Sequence, residues 1–216
     1  MIKACIFDLD GTLMDTLGAI AACGNDALRQ VGLLPYPQER YGYFAGNGAK
    51  KLVERMLEGQ NAYTPAMFDK VFPLFSAIYD QKGACSVTPF PDIPLLLEKL
   101  KERGIALAVL SNKPHGIVLD IINRFFGDSF FAAVEGQQEG KRNKPDPEGV
   151  FCVLESLCVT PEECLLVGDS DVDVETAKAA GVFSVGVSWG FRPKRELEEA
   201  GASAIIDTPL DLLRYI

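Results

Sequence analysis

The chain has 216 residues, of which 48% are hydrophobic and 24% charged, and its net charge is −9. This composition is typical of a soluble globular protein, and the negative charge argues against nucleic acids or anionic membranes as main partners. No apolar run approaches the ~20 residues of a membrane span, and the N-terminus lacks the pattern of a signal peptide. The six cysteines form no Cys-x-x-Cys pair, so we predict reduced thiols in a cytoplasmic protein and no zinc site.

The first predicted element is a buried strand that ends in two acids. The apolar run Ala4–Phe7 is followed by Asp8, Asp10 and Gly11. Side chains two residues apart on a strand point the same way, with their Cα atoms roughly 6.6 Å apart. Two acids in this position indicate a metal site, a nucleophile with an acid/base partner, or both.

The next segment, residues 15–86, contains no strand-like apolar run. Its pattern predicts helices over residues 15–31, 38–57 and 65–81, with many aromatic side chains. We therefore predict a helical cap domain over residues 15–86, inserted into a core domain formed by residues 1–14 and 87–216.

Beyond residue 90 the pattern alternates between strands and helices. The predicted strands cover residues 105–110, 130–134, 164–168, 183–187 and 204–206. The predicted helices cover residues 95–103, 114–125, 147–157, 172–180 and 194–200, with a last one from residue 209. Continuous apolar strands that alternate with helices predict an α/β fold, with a parallel-sheet, Rossmann-like core and the inserted α-helical cap domain.

Four polar clusters follow the ends of predicted strands. In an open parallel sheet these ends share one edge, where such folds bind ligands. Acids, a hydroxyl and a lysine are therefore expected to meet in one crevice. The clusters are Asp8-Leu9-Asp10-Gly11-Thr12, Ser111-Asn112-Lys113, Lys144-Pro145-Asp146 and Gly168-Asp169-Ser170-Asp171-Val172-Asp173.

Together these clusters resemble the four motifs of the haloacid dehalogenase-like hydrolase superfamily, in its capped phosphatase branch. Asp8-x-Asp10-Gly11-Thr12 matches the first motif and Ser111 the second. Lys144 matches the third, and Gly168-Asp169-x-x-x-Asp173 the fourth. Their order and spacing agree with the family, and the resemblance covers the whole chain.

The resemblance implies a role for each motif residue. Asp8 would be the nucleophile that forms an aspartyl-phosphate, and Asp10 the general acid and base. Mg²⁺ would be bound by the side chains of Asp8 and Asp169 and by the backbone carbonyl of Asp10. Asp173 would orient a metal-bound water or Lys144.

The phosphoryl group also needs partners, because three acids would repel its negative charge. Ser111, Asn112 and Lys144 are the predicted phosphate-binding residues, and Ser111 and Lys144 count among the catalytic residues by resemblance. Lys113 and Lys141 are rivals for the role of Lys144, but Lys-Pro-Asp-Pro is the family's usual setting for this lysine.

The cap segment that begins Ala45-Gly46-Asn47-Gly48 resembles that of phosphoglycolate phosphatases, where a Gly-x-Gly turn opens a helix. Exposed N–H groups at a helix start favour an anion such as a substrate carboxylate. We therefore predict substrate contacts from Gly46, Asn47, Gly48 and Lys50, and Lys51 could add charge.

The sequence thus predicts a Mg²⁺-dependent phosphatase of a small phosphorylated metabolite, with 2-phosphoglycolate as the leading substrate and a monomer or homodimer as the assembly. A sugar-phosphate mutase and a phosphatase of a nucleotide, sugar phosphate or pyrophosphate remain alternatives on the same core. A catalytically idle binding protein is disfavoured by the intact motifs. Dehalogenation is disfavoured because dehalogenases of this superfamily lack the second acid of the first motif, which Asp10 provides here.

Overall fold

A six-stranded parallel sheet forms the centre of the computed structural model, which describes residues 1–216. The strand order is β5-β4-β1-β6-β7-β8, so the first strand lies in the middle. The strands are β1 (Ala4–Phe7), β4 (Ala106–Pro114), β5 (Ala133–Gln137), β6 (Cys164–Gly168), β7 (Phe183–Val187) and β8 (Ala204–Ile206); β2 (Met14–Asp15) and β3 (Thr88–Pro89) form a separate antiparallel pair.

Nine α-helices surround the sheet or lie between β2 and β3. They are α1 (Leu17–Gln30), α2 (Gln38–Phe44), α3 (Gly48–Glu58), α4 (Pro65–Lys82), α5 (Ile93–Glu102), α6 (His115–Phe126), α7 (Glu148–Leu157), α8 (Asp171–Ala180) and α9 (Lys194–Ala200), with two 3-10 helices at Pro161–Glu163 and Pro209–Tyr215. No helix is both long and apolar enough to cross a membrane.

The sheet is covered on both faces, as the apolar strands predict. In β1 the side chains of Cys5 and Phe7 join one apolar cluster, and those of Ala4 and Ile6 join another on the opposite face. The α/β fold class predicted from the sequence is confirmed. The division into a core domain and a cap domain over residues 15–86 stays a proposal, and helices α1–α4 are the elements it assigns to the cap.

Several predicted elements differ from those observed. The helix predicted over residues 38–57 is two helices, α2 and α3, because the chain turns at Gly46, where φ is +103°. The strand predicted over residues 130–134 begins at Ala133 and ends at Gln137, and the last predicted helix is a 3-10 helix.

The strand predicted to end at residue 110 continues to Pro114, with a register shift against β5 after Leu110. Ser111, Asn112 and Lys113 therefore lie inside the end of β4, where the sequence analysis placed them after it. Since all three remain at the carboxyl end of the sheet, the expected meeting of the four clusters is unaffected.

Candidate active site

Neighbouring strands place Asp8 and Asp169 side by side. Strands β1 and β6 pair in parallel, with Phe7 opposite Val167, and each strand is followed by its acid. Asp173 lies in the first turn of α8, which begins here because Ser170 and Asp173 form a capping box. Carboxylate oxygens of Asp8, Asp169 and Asp173 lie within 4.8 Å of one another, and all three residues are buried.

Lys144 enters this acidic group from the loop between β5 and α7. Its Nζ lies 2.6 Å from Asp173 Oδ1 and 3.0 Å from Asp8 Oδ1. Of the two rival lysines, Lys141 is exposed and pairs with Glu135, and Lys113 pairs with Asp10. Lys144 is therefore the only one of the three that contacts the predicted nucleophile Asp8.

The side chain of Asn112 holds the loop that carries Lys144. Its amide oxygen accepts a hydrogen bond from the Lys144 N–H (2.8 Å), and its amide nitrogen donates to the Lys144 carbonyl (2.9 Å) and to the Gly46 carbonyl (2.9 Å). Both amide hydrogens are thus committed to the protein. The Asn112 side chain thus braces the loop that carries Lys144, and the predicted phosphate contact of Asn112 stays a prediction.

The buried carboxylates carry more negative charge than one lysine offsets. Burial raises the pKa of Asp8 from 3.8 to about 7, with added repulsion from Asp173 and Asp10 and an opposing effect of Lys144. Burial also raises the pKa of Asp169 well above 3.8, together with repulsion from Asp173 and Asp8. Burial alone would lower the pKa of Lys144, but Asp173 and Asp8 outweigh it and raise that pKa. Such a group of acids calls for a further positive charge.

The donor set fits a hard divalent cation, which prefers carboxylate oxygens. Both oxygens of Asp173 already accept bonds, from Lys144 and from the N–H and hydroxyl of Ser170. In Asp8 and Asp169, one oxygen accepts bonds from the protein and the other oxygen accepts none. The two free oxygens are the ones available to a cation, which agrees with the predicted ligands.

Two glycines make room for Asp169. Gly11 has φ +84°, in the left-handed region that favours glycine, and a Cβ there would collide with the Asp169 carboxylate. A Cβ on Gly190 would collide with the same side chain, and the next backbone N–H, of Phe191, donates to Asp169 Oδ2 at 2.7 Å. The loop after β7 therefore fixes this acid, a contact that the motif pattern did not reveal.

Asp10 has partners of its own. Its carboxylate accepts hydrogen bonds from Thr16 Oγ1 (2.7 Å) and Lys113 Nζ (2.9 Å). Lys113 also contacts the hydroxyl of Tyr79, which comes from α4. The sequence analysis considered Lys113 only as a rival of Lys144, and it did not identify Thr16 or Tyr79 as residues of the site.

A cavity of about 600 Å³, including its open mouth, joins these groups to the inserted helices. Ser111 lies on its wall, where its Oγ accepts only the Lys113 N–H, so its own hydrogen is free to donate to a ligand. Asp8, Asp10 and Asp169 also line the cavity. The helical side is lined by Ile20, Gly42, Ala45, Gly46, Gly48, Ala49, Leu52, Phe75 and Tyr79.

The four predicted cap residues divide into two groups. Gly46 and Gly48 line the cavity. The side chain of Asn47 accepts a bond from Arg55 Nη2 (2.8 Å), and Lys50 is exposed; neither of them lines the cavity. The cations that do line it are Lys113 and Arg192, and Arg192 was missed because it lies outside every motif.

Comparison with known proteins gives one family. The sequence model described as haloacid dehalogenase-like hydrolase matches residues 5–187. A phosphoglycolate phosphatase of Pseudomonas putida KT2440 is 33% identical over 94% of this chain and 75% of its own length. One from Vibrio cholerae is 31% identical over 100% of this chain and 97% of its own.

A solved structure supports the same assignment. The crystal structure of a Lactobacillus delbrueckii protein, provisionally named a phosphoglycolate phosphatase, superposes with a TM-score of 0.94 at 30% identity. The match covers 99% of this chain and 98% of that one. The family expected from the four motifs is therefore confirmed, and the chain belongs to the haloacid dehalogenase-like hydrolase family as one of its phosphatases.

Proposed function

We propose that this phosphatase hydrolyses a small phosphate monoester through an aspartyl-phosphate on Asp8, with Mg²⁺ as cofactor and 2-phosphoglycolate as the leading substrate. The observation that carries the proposal is the separation of the two acids of the first motif. Asp8 contacts Lys144 among the buried acids, whereas Asp10 is held apart by Lys113 and Thr16. One acid is thus suited to attack phosphorus and the other to exchange a proton with the leaving oxygen.

In this mechanism a carboxylate oxygen of Asp8 forms the new bond to phosphorus, and the bond from phosphorus to the ester oxygen breaks. Lys144 and the Ser111 hydroxyl bind the three phosphoryl oxygens that move with phosphorus, where charge must be stabilised in the transition state. Asp10 donates a proton to the departing oxygen. Asp10 then removes a proton from a water that attacks phosphorus. The bond between Asp8 and phosphorus breaks, which releases phosphate and restores the Asp8 carboxylate.

The free oxygens of Asp8 and Asp169, with the Asp10 backbone carbonyl, are the groups proposed to hold Mg²⁺. When bound, the cation supplies positive charge that offsets repulsion between the phosphate and the acids. The reacting groups are largely shielded from bulk water, since Asp8 is buried and the Asp10 side chain is 19% exposed. Asp173 acts indirectly, since it holds Lys144 in contact with Asp8.

The roles of the two acids are tested with p-nitrophenyl phosphate, whose leaving group departs without protonation. We expect Asp10→Asn to release about one equivalent of nitrophenolate in a burst and then turn over slowly, because the intermediate lacks its base. Asp8→Asn should give neither burst nor turnover. A chelator should abolish activity, and added Mg²⁺ should restore it.

Asp171→Asn is the matched control. Asp171 is the first residue of α8, two positions before Asp173, and it does not line the cavity. We expect it to keep near wild-type turnover. Near wild-type turnover by Asp8→Asn would refute the aspartyl-phosphate mechanism.

The substrate is tested by phosphate release over a panel of phosphorylated metabolites. The curated relatives named phosphoglycolate phosphatase are the support for 2-phosphoglycolate. We expect its kcat/KM to exceed that of hexose phosphates, nucleotides and pyrophosphate. A higher value for any of these would replace the leading substrate and leave the reaction type intact.

A further inference from the structure

Lys113 and Tyr79 form a buried polar pair on the cavity wall beside Asp10. The Lys113 side chain is only 1% exposed, and its Nζ contacts both Asp10 oxygens, at 2.9 and 3.2 Å. It also donates to the Tyr79 hydroxyl. Both residues line the cavity, although one comes from β4 and the other from α4.

This pair retains one donor that the protein does not use. The three hydrogens of the Lys113 ammonium have three acceptors, the two Asp10 oxygens and the Tyr79 hydroxyl. The Tyr79 hydroxyl accepts from Lys113 and donates to no protein atom. Burial raises the pKa of Tyr79, so its hydroxyl keeps its hydrogen at neutral pH. A buried donor without an acceptor is costly unless a ligand supplies one.

The mechanism places the leaving group of the substrate beside this pair. Asp10 must lie within hydrogen-bond reach of the oxygen that it protonates. In an ester of the type phosphate–O–CH₂–COO⁻, the carboxylate is separated from that oxygen by one carbon. Its oxygens therefore lie only about 3 Å from the leaving oxygen, from bond lengths of ~1.5 Å and less. Because Lys113 touches Asp10, it is within reach of such a carboxylate.

The other cations of this region are placed less well. Arg192 Nη2 donates to the Ala45 carbonyl (3.3 Å), and the guanidinium lies over the Tyr43 ring, 5.4 Å from its centre. Lys50 is exposed and does not line the cavity. Of these cations only Lys113 contacts Asp10. The apolar side chains of Ile20, Phe75 and Leu52 line the same cavity. Apolar surroundings exclude water and strengthen a charged contact.

We propose that Lys113 and Tyr79 form the subsite that binds an anionic group on the leaving alcohol, so that the enzyme selects phosphate esters with a carboxylate one carbon from the ester oxygen. This specificity role rests on the proposed function. It differs from the sequence analysis, which expected a substrate carboxylate at the start of α3.

The test compares 2-phosphoglycolate with 2-hydroxyethyl phosphate, which has a CH₂OH group in place of the carboxylate. The readout is the ratio of the two kcat/KM values. We expect the wild-type ratio to exceed tenfold. Lys113→Met should reduce the ratio by about tenfold or more, the range of a hydrogen bond to a charged group, and Tyr79→Phe should reduce it by about threefold to tenfold. A general loss of acid catalysis would lower both values and leave their ratio unchanged.

Lys50→Ala is the control, and it should leave the ratio unchanged. Arg192→Gln should change the two kcat/KM values equally. The subsite would be overturned if Tyr79→Phe and Lys113→Met left the ratio of the two kcat/KM values unchanged. It would also be overturned if Arg192→Gln abolished the preference for 2-phosphoglycolate. A wild-type enzyme that cleaves both esters equally would also overturn it, while the phosphatase proposal would stand.

A binding measurement separates the subsite from turnover. Calorimetry with Asp8→Asn should show tighter binding of 2-phosphoglycolate than of 2-hydroxyethyl phosphate, and adding Tyr79→Phe should reduce the difference. If no ester is hydrolysed by the wild type but this preference is seen, the proposed reaction fails and the subsite is retained. Equal binding of the two esters rejects the subsite.

Discussion

At the scale of single residues, the two acids of the first motif differ because their partners differ. Asp8 shares Lys144 with Asp173 and faces Asp169, so the lysine cannot offset the whole charge. Asp10 has Lys113 largely to itself. A buried carboxylate whose charge is only partly offset lowers the stability of the folded chain. Such a loss of stability is common at catalytic sites.

We predict that Asp8→Asn stabilises the chelator-treated protein while it abolishes activity. Burial raises the pKa of Asp8 from 3.8 to about 7 in the folded chain. The unfolded chain therefore loses this proton at lower pH than the folded chain, so Asp8 destabilises the fold increasingly as the pH rises through that interval. The substituted amide can still accept the Leu9 N–H and Lys144 bonds without the charge.

The measurement is thermal unfolding of wild type and Asp8→Asn in EDTA from pH 4 to pH 8. The variant should have a Tm about 2–8 °C higher at pH 8, equivalent to about 1–2 kcal/mol. The difference should shrink towards pH 4, because the unfolded wild type also begins to bind the proton there. A variant less stable than wild type at pH 8 would show that Asp8 is adequately compensated.

At the scale of elements, the turn between α2 and α3 connects the inserted helices to the sheet edge. The Gly46 carbonyl accepts from Asn112, and the Ala45 carbonyl accepts from Arg192. Gly48 opens α3 with φ +84°, and a Cβ there would lie 3.1 Å from Asn143 Nδ2. Glycine is therefore favoured at position 48 for two reasons, its left-handed backbone and its short distance to Asn143.

We predict that Gly48→Ala raises KM for 2-phosphoglycolate and lowers stability. The left-handed backbone costs about 1 kcal/mol for a residue with a Cβ. The added methyl group also pushes the turn, which lines the cavity, away from Asn143. The measurements are steady-state kinetics and urea unfolding.

Gly32→Ala provides the matched control. Gly32 has a similar φ of +77°, but a Cβ there would meet nothing within 4 Å, and Gly32 does not line the cavity. It should lose a similar amount of stability and keep its KM. An equal rise of KM in both variants would attribute the effect to general destabilisation rather than to the turn.

At the scale of the whole molecule, features that arise from contiguous stretches of sequence could be predicted, whereas contacts between distant parts of the chain could not. Apolar strands that end in acids are contiguous patterns, so the α/β fold and the family followed from them, and the roles of Asp8 and Asp169 remain predictions. The pairing of Tyr79 with Lys113 joins residues 34 positions apart, and nothing in either segment indicates the other. Arg192 was missed for a similar reason, since only the folded loop after β7 brings it to the cavity.

The apolar core is continuous between the sheet and the inserted helices. One cluster of 40 buried residues includes Cys5 and Phe7 of β1 as well as Cys23 of α1 and Phe75 of α4. Since a shared core couples the elements that form it, we expect the two proposed domains to unfold together in one transition.

The cysteines report on this coupling, because three are exposed and three are buried. Burial raises the pKa of Cys23 from 9.0 to about 11 and that of Cys164 to about 12, and burial with repulsion from Cys164 raises the pKa of Cys5. At pH 8 these thiols are therefore both shielded and un-ionised, and thiolate is the reactive form. The exposed thiols are those of Cys85, Cys152 and Cys158.

We predict that iodoacetamide at pH 8 labels only the three exposed cysteines of the native protein, as measured by peptide mass spectrometry. Across a urea titration, Cys23 of the inserted helices should become reactive at the same midpoint as Cys5 and Cys164 of the sheet. The shared cluster is the reason for Cys5, because loss of α1 and α4 would expose the apolar face of β1. Cys164 is expected to follow because its strand, β6, pairs directly with β1. Labelling of Cys23 at a clearly lower urea concentration would show instead that the inserted helices unfold on their own while the sheet remains folded.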